Sequence, residues 1–195
     1  VSIIQSSSRT GVQSASFDFQ SPLRHQSVEM GPCVYMAGGV PSVFDGAQAT
    51  EHGFLAVPTL GNGVVSAGGS VDVGNHQYAV VFKWPNARGE IQRSAPVFSG
   101  QIPTTSGNQT VTLTSSVCAL TTKQDAGNFW NPAVTFDVYR NTISDPATFW
   151  QVAPDSAETI SDPRSGTATI SLISDTISDA TMIGNAYGLL YTLGG

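Results

Sequence analysis

Apolar and polar residues alternate over short stretches of this chain, and the clearest alternation runs from Tyr78 to Trp84. Tyr, Val, Phe and Trp occupy every second position there, with Ala, Val and Lys between them. Because successive side chains of a strand point to opposite faces, this period of two predicts a strand that is apolar on both faces. Turn-forming residues follow at 85–89, and residues 90–94 predict a second strand. The two strands form an antiparallel hairpin that ends at Pro96, since proline donates no ladder hydrogen bond.

The same alternation recurs further along the chain and predicts four more strands, at residues 109–120, 133–140, 149–152 and 167–173. With the hairpin, this gives about six strands over roughly a hundred residues, which is typical of a two-sheet β-sandwich. The Cys–Trp–Cys spacing of antibody domains is missing. We therefore expect an all-β fold, with an immunoglobulin/fibronectin III-like β-sandwich preceded by a smaller irregular β region.

Helical periodicity is weak throughout, because 20 Gly and 11 Pro residues interrupt the sequence. The best helical segment runs from Asp179 to Tyr187, with Asp179 as the predicted N-cap and Gly184 and Gly188 as stop signals.

The first 75 residues are less regular than the rest. Short apolar runs predict strands near Phe17 and Phe19 and at residues 28–30, 33–36, 40–44 and 54–57. Residues 61–74 are rich in glycine and predict a flexible connector. We accordingly divide the chain into an irregular β region, 1–75, and a β-sandwich domain with a C-terminal exit segment, 76–195.

Composition narrows the function classes. Only 11% of the 195 residues are charged, well below the roughly 25% of an average soluble domain, so a polar, uncharged surface is expected. The chain has only 8 Lys and Arg residues and they form no basic cluster, which argues against nucleic acid as a primary partner. No run approaches the roughly 18 apolar residues of a membrane helix, so no membrane partner is expected. A chain that begins at Val1 also suggests a piece of a longer protein.

The sequence offers little for catalysis or metal binding. Cys33 and Cys118 match no metal or redox spacing and are expected to be buried free thiols, and the three histidines, at positions 25, 52 and 76, are expected at the surface or in turns. No nucleophile elbow is present. We therefore predict no catalytic residue, no cofactor and no metal.

Tryptophans and arginines supply the candidate interface. Trp84 is expected in the core, while Trp130 and Trp150 are expected to cover an edge or an interface. A sugar-stacking platform built from the tryptophans is the alternative, and would make the chain a carbohydrate-binding module. Arg93 and Arg140 each end an apolar strand and could pair with a neighbouring subunit's carboxylate, or locally with Asp137 or Glu90. The candidate interface residues are thus Trp130, Trp150, Arg93 and Arg140.

Four segments, in order, carry a resemblance to a known family. They are AGGVPSVFDGAQATEHGF at 37–54, YAVVFKWPNARGEIQRSAP at 78–96, FDVYRN at 136–141 and LLYTLGG at 189–195. The chain resembles, over roughly residues 33–195, the central β-sandwich portion of tail nozzle (tail tubular, or tail stabilisation) proteins of short-tailed bacteriophages. Each motif is short, and their order carries the resemblance.

The resemblance implies a structural virion component located in the phage tail. Such proteins form a homo-oligomeric ring, usually of six subunits, which extends the DNA channel below the adaptor and contacts tail fibres or a tip protein. Passing DNA would be touched only non-specifically, and no enzymatic activity is implied.

Overall fold

The computed structural model describes residues 2–6, 12–16, 26–46, 49–86, 88–116, 121–123, 134–158 and 169–190. Strands are the main regular structure in this part of the chain and only one short helix accompanies them, which confirms the predicted all-β class. Its elements are β1 (Ser2–Ser6), β2 (Val12–Ser16), β3 (Gln26–Met30), β4 (Cys33–Ala37), β5 (Ser42–Phe44), β6 (Ala49–Glu51), β7 (Val64–Ser66), β8 (Gly68–Gly69), β9 (Gly74–His76), β10 (Tyr78–Pro85), β11 (Ile91–Arg93), β12 (Val97–Phe98), β13 (Ile102–Thr104), β14 (Asn108–Ser116), β15 (Thr135–Asn141), β16 (Phe149–Glu158), β17 (Thr169–Asp175) and α1 (Asp179–Asn185).

The largest sheet is built around the predicted hairpin. Its strand order is β11-β10-β15-β16, with β12 pairing the other half of the β10 edge. Lys83 lies opposite Arg93 across the hairpin, and Phe82 lies opposite Phe136 on the next strand. The hairpin predicted from alternation is confirmed.

A second sheet packs against the first and shares its core. Its strand order is β17-β14-β7, and β8 runs parallel to the start of β14. The two sheets contribute a single cluster of buried apolar side chains, which includes Tyr78, Val80, Phe82, Trp84, Val111, Leu113, Phe136, Val138 and Leu172. The two-layer arrangement follows because each sheet buries one apolar face against the other.

The N-terminal region forms its own small sheets. β3, β4, β5 and β6 make a four-stranded antiparallel meander, while β1 and β2 pair with each other. The strand predicted at 54–57 is wrong, because these residues form no ladder. Phe54 packs instead against the shared core, with its ring 5.7 Å from that of Phe82. The strands predicted near Phe17 and Phe19 lie outside the described residues.

The glycine-rich segment 61–74 is not the flexible connector that its composition predicts. β7 pairs with β14, and β8 pairs with the start of the same strand. Val71 is fully buried, and the backbone amide of Ser70 donates to Thr176 at 2.8 Å. The segment therefore completes the second sheet, although the division of the chain into two domains stays a prediction.

The single helix of the described chain, α1, lies where the sequence predicts it, but its cap differs. Ser178 is the N-cap, since its backbone is extended and its side chain accepts from the Thr181 amide. The predicted N-cap, Asp179, is wrong: it is the first helical residue, and its carboxylate accepts instead from the Ile143 amide at 2.9 Å. Within the described residues no helix has the length and apolarity needed to cross a bilayer.

The six strands predicted after residue 76 are all present, with shifted ends. Three of the predicted ends, at residues 117–120, 133 and 167–168, lie outside the described residues. β12 and β13 were missed, because residues 95–108 have the composition of a Ser/Thr/Gly loop.

Candidate functional site

A buried cluster of charges joins the two sheets at one end of the sandwich. Arg140, on β15, is completely buried and pairs with Asp175 at the end of β17 and, at 3.0 Å, with Asp179 at the start of α1. The Tyr78 hydroxyl donates to the same Asp175 oxygen at 2.8 Å. We call these four residues the Arg140 cluster.

Burial and charge fix the protonation states in the Arg140 cluster. Burial, and then the negative charge of Asp175, raise the pKa of the Tyr78 hydroxyl well above its ordinary value. Burial alone would lower the pKa of Arg140, but Asp175, Tyr78 and Asp179 together raise it. The Tyr78 hydroxyl therefore stays protonated and donates a hydrogen bond to Asp175, while Arg140 stays charged.

The Arg140 cluster continues into a network of backbone contacts. Asp72 accepts the Asp179 amide proton at 2.9 Å, and its carbonyl lies 2.7 Å from Nε2 of His76. Thr104 donates to the same carbonyl at 2.6 Å. The prediction that His76 lies at the surface or in a turn is wrong, since β9 carries this side chain into the interior, where it is fully buried.

A second buried ion pair joins the N-terminal meander to the residues that follow β14. Lys123 Nζ lies 3.1 Å from Glu51 Oε1, and both side chains are completely buried. Nζ also donates to the Glu51 carbonyl and lies 4.8 Å from the centre of the Phe54 ring. Glu51 accepts in addition from the hydroxyls of Thr121 and Thr122. Both charges thus have several partners, which buried ions require.

A third charge group lies on the other face of the large sheet. Asp137 is buried between Lys83 Nζ at 3.6 Å and Arg93 at 3.4 Å. Tyr139 follows on the same face, where burial, and then the charge of Asp137, raise its pKa to about 12. Local pairing of Arg93 with Asp137, one of the predicted alternatives, is confirmed.

The four predicted interface residues have different surroundings. The side chain of Arg93 is 46% exposed on the edge strand β11 and so lies at the surface. Arg140 is fully buried, so its predicted place at a surface is wrong. Because β15 directs its side chain towards β17 and α1, it pairs with Asp175 and Asp179. The predicted local pairing with Asp137 or Glu90 is therefore wrong as well. Trp150 is half-buried against the core and bridges Leu189, while Trp130 lies outside the described residues.

The remaining predicted residues fill structural roles. Trp84 and the free thiol of Cys33 are buried, as predicted, while Cys118 and His25 lie outside the described residues. His52 is exposed, with its ring 5.5 Å from that of Tyr35. Among the residues that the structure describes, no group of His, Cys, Asp and Glu side chains could hold a metal ion.

Among the grooves at the surface of the described residues, two are well defined. One, of about 300 Å³, lies beside β3 and is lined by Tyr35, Pro41 and His52 among others. The other, of about 470 Å³, lies between residues 60–65 and 98–103. None of the described residues that line these two grooves is a member of the buried ion pairs.

Sequence reasoning missed both fully buried ion pairs. Lys123 lies 72 residues from Glu51, and Arg140 lies 35 residues from Asp175, so no local spacing connects them. One signal was present for Asp175, whose position beside turn residues predicts a bond to its own backbone. Its Oδ1 does accept from the Ile177 amide at 3.1 Å, but the other oxygen serves Arg140 and Tyr78.

Comparison with models of known protein families, with curated proteins and with solved structures finds no match for this chain.

Proposed function

We propose that this chain is a structural part of a bacteriophage tail nozzle, where identical copies assemble into a ring around the DNA channel and dock neighbouring tail proteins. Its immunoglobulin/fibronectin III-like topology is part of the same proposal. A domain with this role keeps a fixed shape and presents surfaces for assembly. Its buried polar groups therefore stabilise the fold.

The observation that carries this proposal is the meeting of Tyr78 and Arg140 on one oxygen of Asp175. Tyr78 begins the second motif of the family resemblance, and Arg140 lies near the end of the third. Both side chains are completely buried, so no substrate can reach them. A scaffold role explains why a Tyr and an Arg occupy these motif positions, since together they join the two sheets.

Motifs that follow one another along the chain are also close together in the fold. The hairpin of the second motif pairs with the β15 strand of the third, and β15 pairs with β16. Leu189, the first residue of the fourth motif, bridges Trp150 on β16. The second and third motifs therefore pair directly, and β16 connects them to the start of the fourth, which supports an origin of these segments in a common structural unit.

An open sheet edge offers a surface for assembly. In the described part of the chain, β3 pairs on one side only, and all five of its residues are exposed. Val28 and Met30 are 59% and 63% exposed. Because an unpaired edge with apolar side chains is a template for pairing with another chain, we place a ring contact here.

Native mass spectrometry of the natural polypeptide that contains this chain tests the proposal. Met30→Lys adds a charge to the open edge and is expected to shift the ring towards smaller species. Ile183→Lys is the matched control, because Ile183 is also exposed, on α1, and its substitution should leave the ring intact. A wild-type protein that stays monomeric at every concentration would refute the assembly role. If Met30→Lys leaves a wild-type ring intact, the contact lies elsewhere.

A further inference from the structure

We propose that Asn62 is a self-modification site, at which the side-chain amide is lost as ammonia and aspartate or isoaspartate is formed. The reaction needs no enzyme: the backbone nitrogen of the next residue attacks the side-chain amide carbon, and water completes the conversion. Among the asparagines of the sequence, Asn62 alone is followed by glycine. Because glycine has no side chain, it hinders the approach of its own nitrogen least.

The side chain of Asn62 is free to turn towards that nitrogen. Asn62 is exposed, and its amide group hydrogen-bonds to no residue that the structure describes. Asn86 shows the opposite case, since its Oδ1 accepts the backbone amides of Arg88 and Glu90, both at 2.9 Å. Turning the Asn86 side chain for an attack would break these bonds, whereas Asn62 has none to lose.

The attacking nitrogen lies outside the strand ladder. Leu60 is opposite Ser115 and Val64 is opposite Thr112, so the four steps from 60 to 64 face only three steps on β14, from 115 to 112. The extra residue is a β-bulge, which interrupts the ladder between these two pairs. Within the described chain the Gly63 amide donates no hydrogen bond, so its nitrogen is available for the reaction.

Packing keeps glycine at position 63. A Cβ at this position would overlap Cδ1 of Ile102 and would lie 3.3 Å from Cδ2 of Leu113. Any larger residue therefore has to displace side chains of the core. The glycine that favours the reaction is thus the residue that the fold requires here.

The bonds made and broken balance with water as the single co-reactant. The Gly63 nitrogen loses its proton and bonds to Cγ of Asn62, the Cγ–Nδ2 bond breaks, and Nδ2 leaves with a proton as ammonia. The product is a five-membered cyclic imide. Water then opens the imide at Cγ to give aspartate, or at the main-chain carbonyl carbon to give isoaspartate. Because the nitrogen attacks after losing its proton, the rate should rise with the hydroxide concentration.

Both products change the surroundings of residue 62. Each adds a negative charge to the groove between residues 60–65 and 98–103, whose described lining carries no charge. Isoaspartate also lengthens the main chain by one atom just before β7, whose pairing with β14 begins at Val64. We therefore expect isoaspartate to weaken the attachment of β7 to β14.

Peptide mapping by mass spectrometry, after incubation of the whole chain at mildly alkaline pH, measures the conversion of each asparagine. Asn108 and Asn185 are matched internal controls, because both are exposed but are followed by Gln109 and Ala186. We expect Asn62 to be converted at least about tenfold faster than either, which corresponds to a barrier lower by about 1.4 kcal/mol. Isoaspartate should form part of the product.

Asn62→Gln is the matched variant, since its side chain keeps the amide but would have to close a six-membered ring, which forms more slowly. Ion-exchange chromatography should separate an acidic form of incubated wild type that incubated Asn62→Gln lacks. The thermal midpoint of wild type should also fall during the incubation, while that of the variant stays constant.

An Asn62 that stays intact, or that is converted no faster than Asn108 and Asn185, would overturn the proposal. An acidic form that appears equally in Asn62→Gln would overturn it as well. These results are independent of ring formation, because the conversion can be measured on monomer or ring.

Discussion

Arg140 and Arg93 offer a matched pair of arginines for testing what burial does to an ion pair. Replacing Arg140 by Met leaves Asp175 and Asp179 without their cation inside the protein, and breaking a buried pair in this way costs about 3–5 kcal/mol. Replacing Arg93 by Met should cost less than about 1 kcal/mol, because that side chain is half-exposed and Lys83 remains beside Asp137. Urea unfolding of both variants gives the two free energies.

Equal losses for these two variants would contradict the assignment of the Arg140 cluster as the tie between the sheets. A larger loss for Arg93→Met would contradict it more strongly.

Tyr139 predicts how stability responds to alkaline pH. Its pKa rises from 10.0 to about 12 on folding, so the folded state holds this proton more tightly than the unfolded state. The resulting stabilisation is complete below the unfolded pKa and is lost as the pH rises through the folded one. Between pH 10.0 and about 12, wild type should therefore lose stability more steeply than Tyr139→Phe. Denaturant midpoints at several alkaline pH values measure both slopes.

Tyr78 is shared by the two proteins, so its own raised pKa contributes equally to both slopes. Parallel curves for wild type and Tyr139→Phe would show that Tyr139 ionises normally and that this account of its surroundings is wrong.

Lys123 and Glu51 allow a test by rescue. Lys123→Met should destabilise the protein by about 3–5 kcal/mol, because the Glu51 carboxylate remains buried without its cation. Adding Glu51→Gln removes that charge, so the double variant should be more stable than Lys123→Met alone. Unfolding free energies of wild type, both single variants and the double variant complete the cycle. Losses that simply add would mean that the two side chains do not interact.

At the scale of elements, two glycines separate backbone strain from packing. Gly69, in β8, and Gly107, in the turn before β14, have similar left-handed φ angles of 75° and 85°. Alanine at either position costs about 1–2 kcal/mol of backbone strain. A Cβ at Gly69 would also overlap the Gln109 carbonyl oxygen, whereas one at Gly107 meets open space. Gly69→Ala should therefore lower the thermal midpoint further than Gly107→Ala, as calorimetry can measure.

A reversed order of these two midpoints would mean that β8 does not lie against β14 as described, and that the glycine-rich segment is free of the sheet after all.

The elements that the sequence predicts well are those with local signals. The hairpin of β10 and β11 combines alternation with a turn of Pro85, Asn86 and Gly89, and it forms as expected. β7 and β8 have no such signal, because the glycine-rich composition around them predicts a connector. They are strands because they pair with β14, which is distant in sequence. Tertiary contacts decide strand formation there, whereas side-chain pattern decides it in the hairpin.

The buried charges could not be predicted for a related reason. Pattern places Arg140 at the end of an apolar strand but says nothing of what lies opposite, and its partners come from elements 35 and 39 residues later in the chain. Neighbouring residues are also a poor guide to burial: His76 follows a glycine-rich stretch that predicts exposure, yet its side chain is buried. The groove between residues 60–65 and 98–103 is formed by two segments remote in sequence, so no local pattern could predict it.

At the scale of the whole molecule, buried ion pairs hold four parts of the described chain together. The Arg140 cluster ties the two sheets and α1, and the Lys123–Glu51 pair ties the N-terminal meander to the sandwich. Breaking a buried ion pair costs more free energy of folding than the intact pair contributes, because it leaves a buried charge without its partner. An arrangement of the parts that separates the two charges is therefore disfavoured. In the proposed ring, this specificity would let every copy present the same geometry to its neighbours.

Cryo-electron microscopy of the natural polypeptide that contains this chain tests the central claim most directly. The account predicts a closed ring of identical copies, usually six in the family that the chain resembles, with a channel wide enough for duplex DNA and with the open edge of β3 at a subunit contact. Particles without rotational symmetry, or a ring in which β3 faces solvent and no copy touches another through this chain, would contradict it.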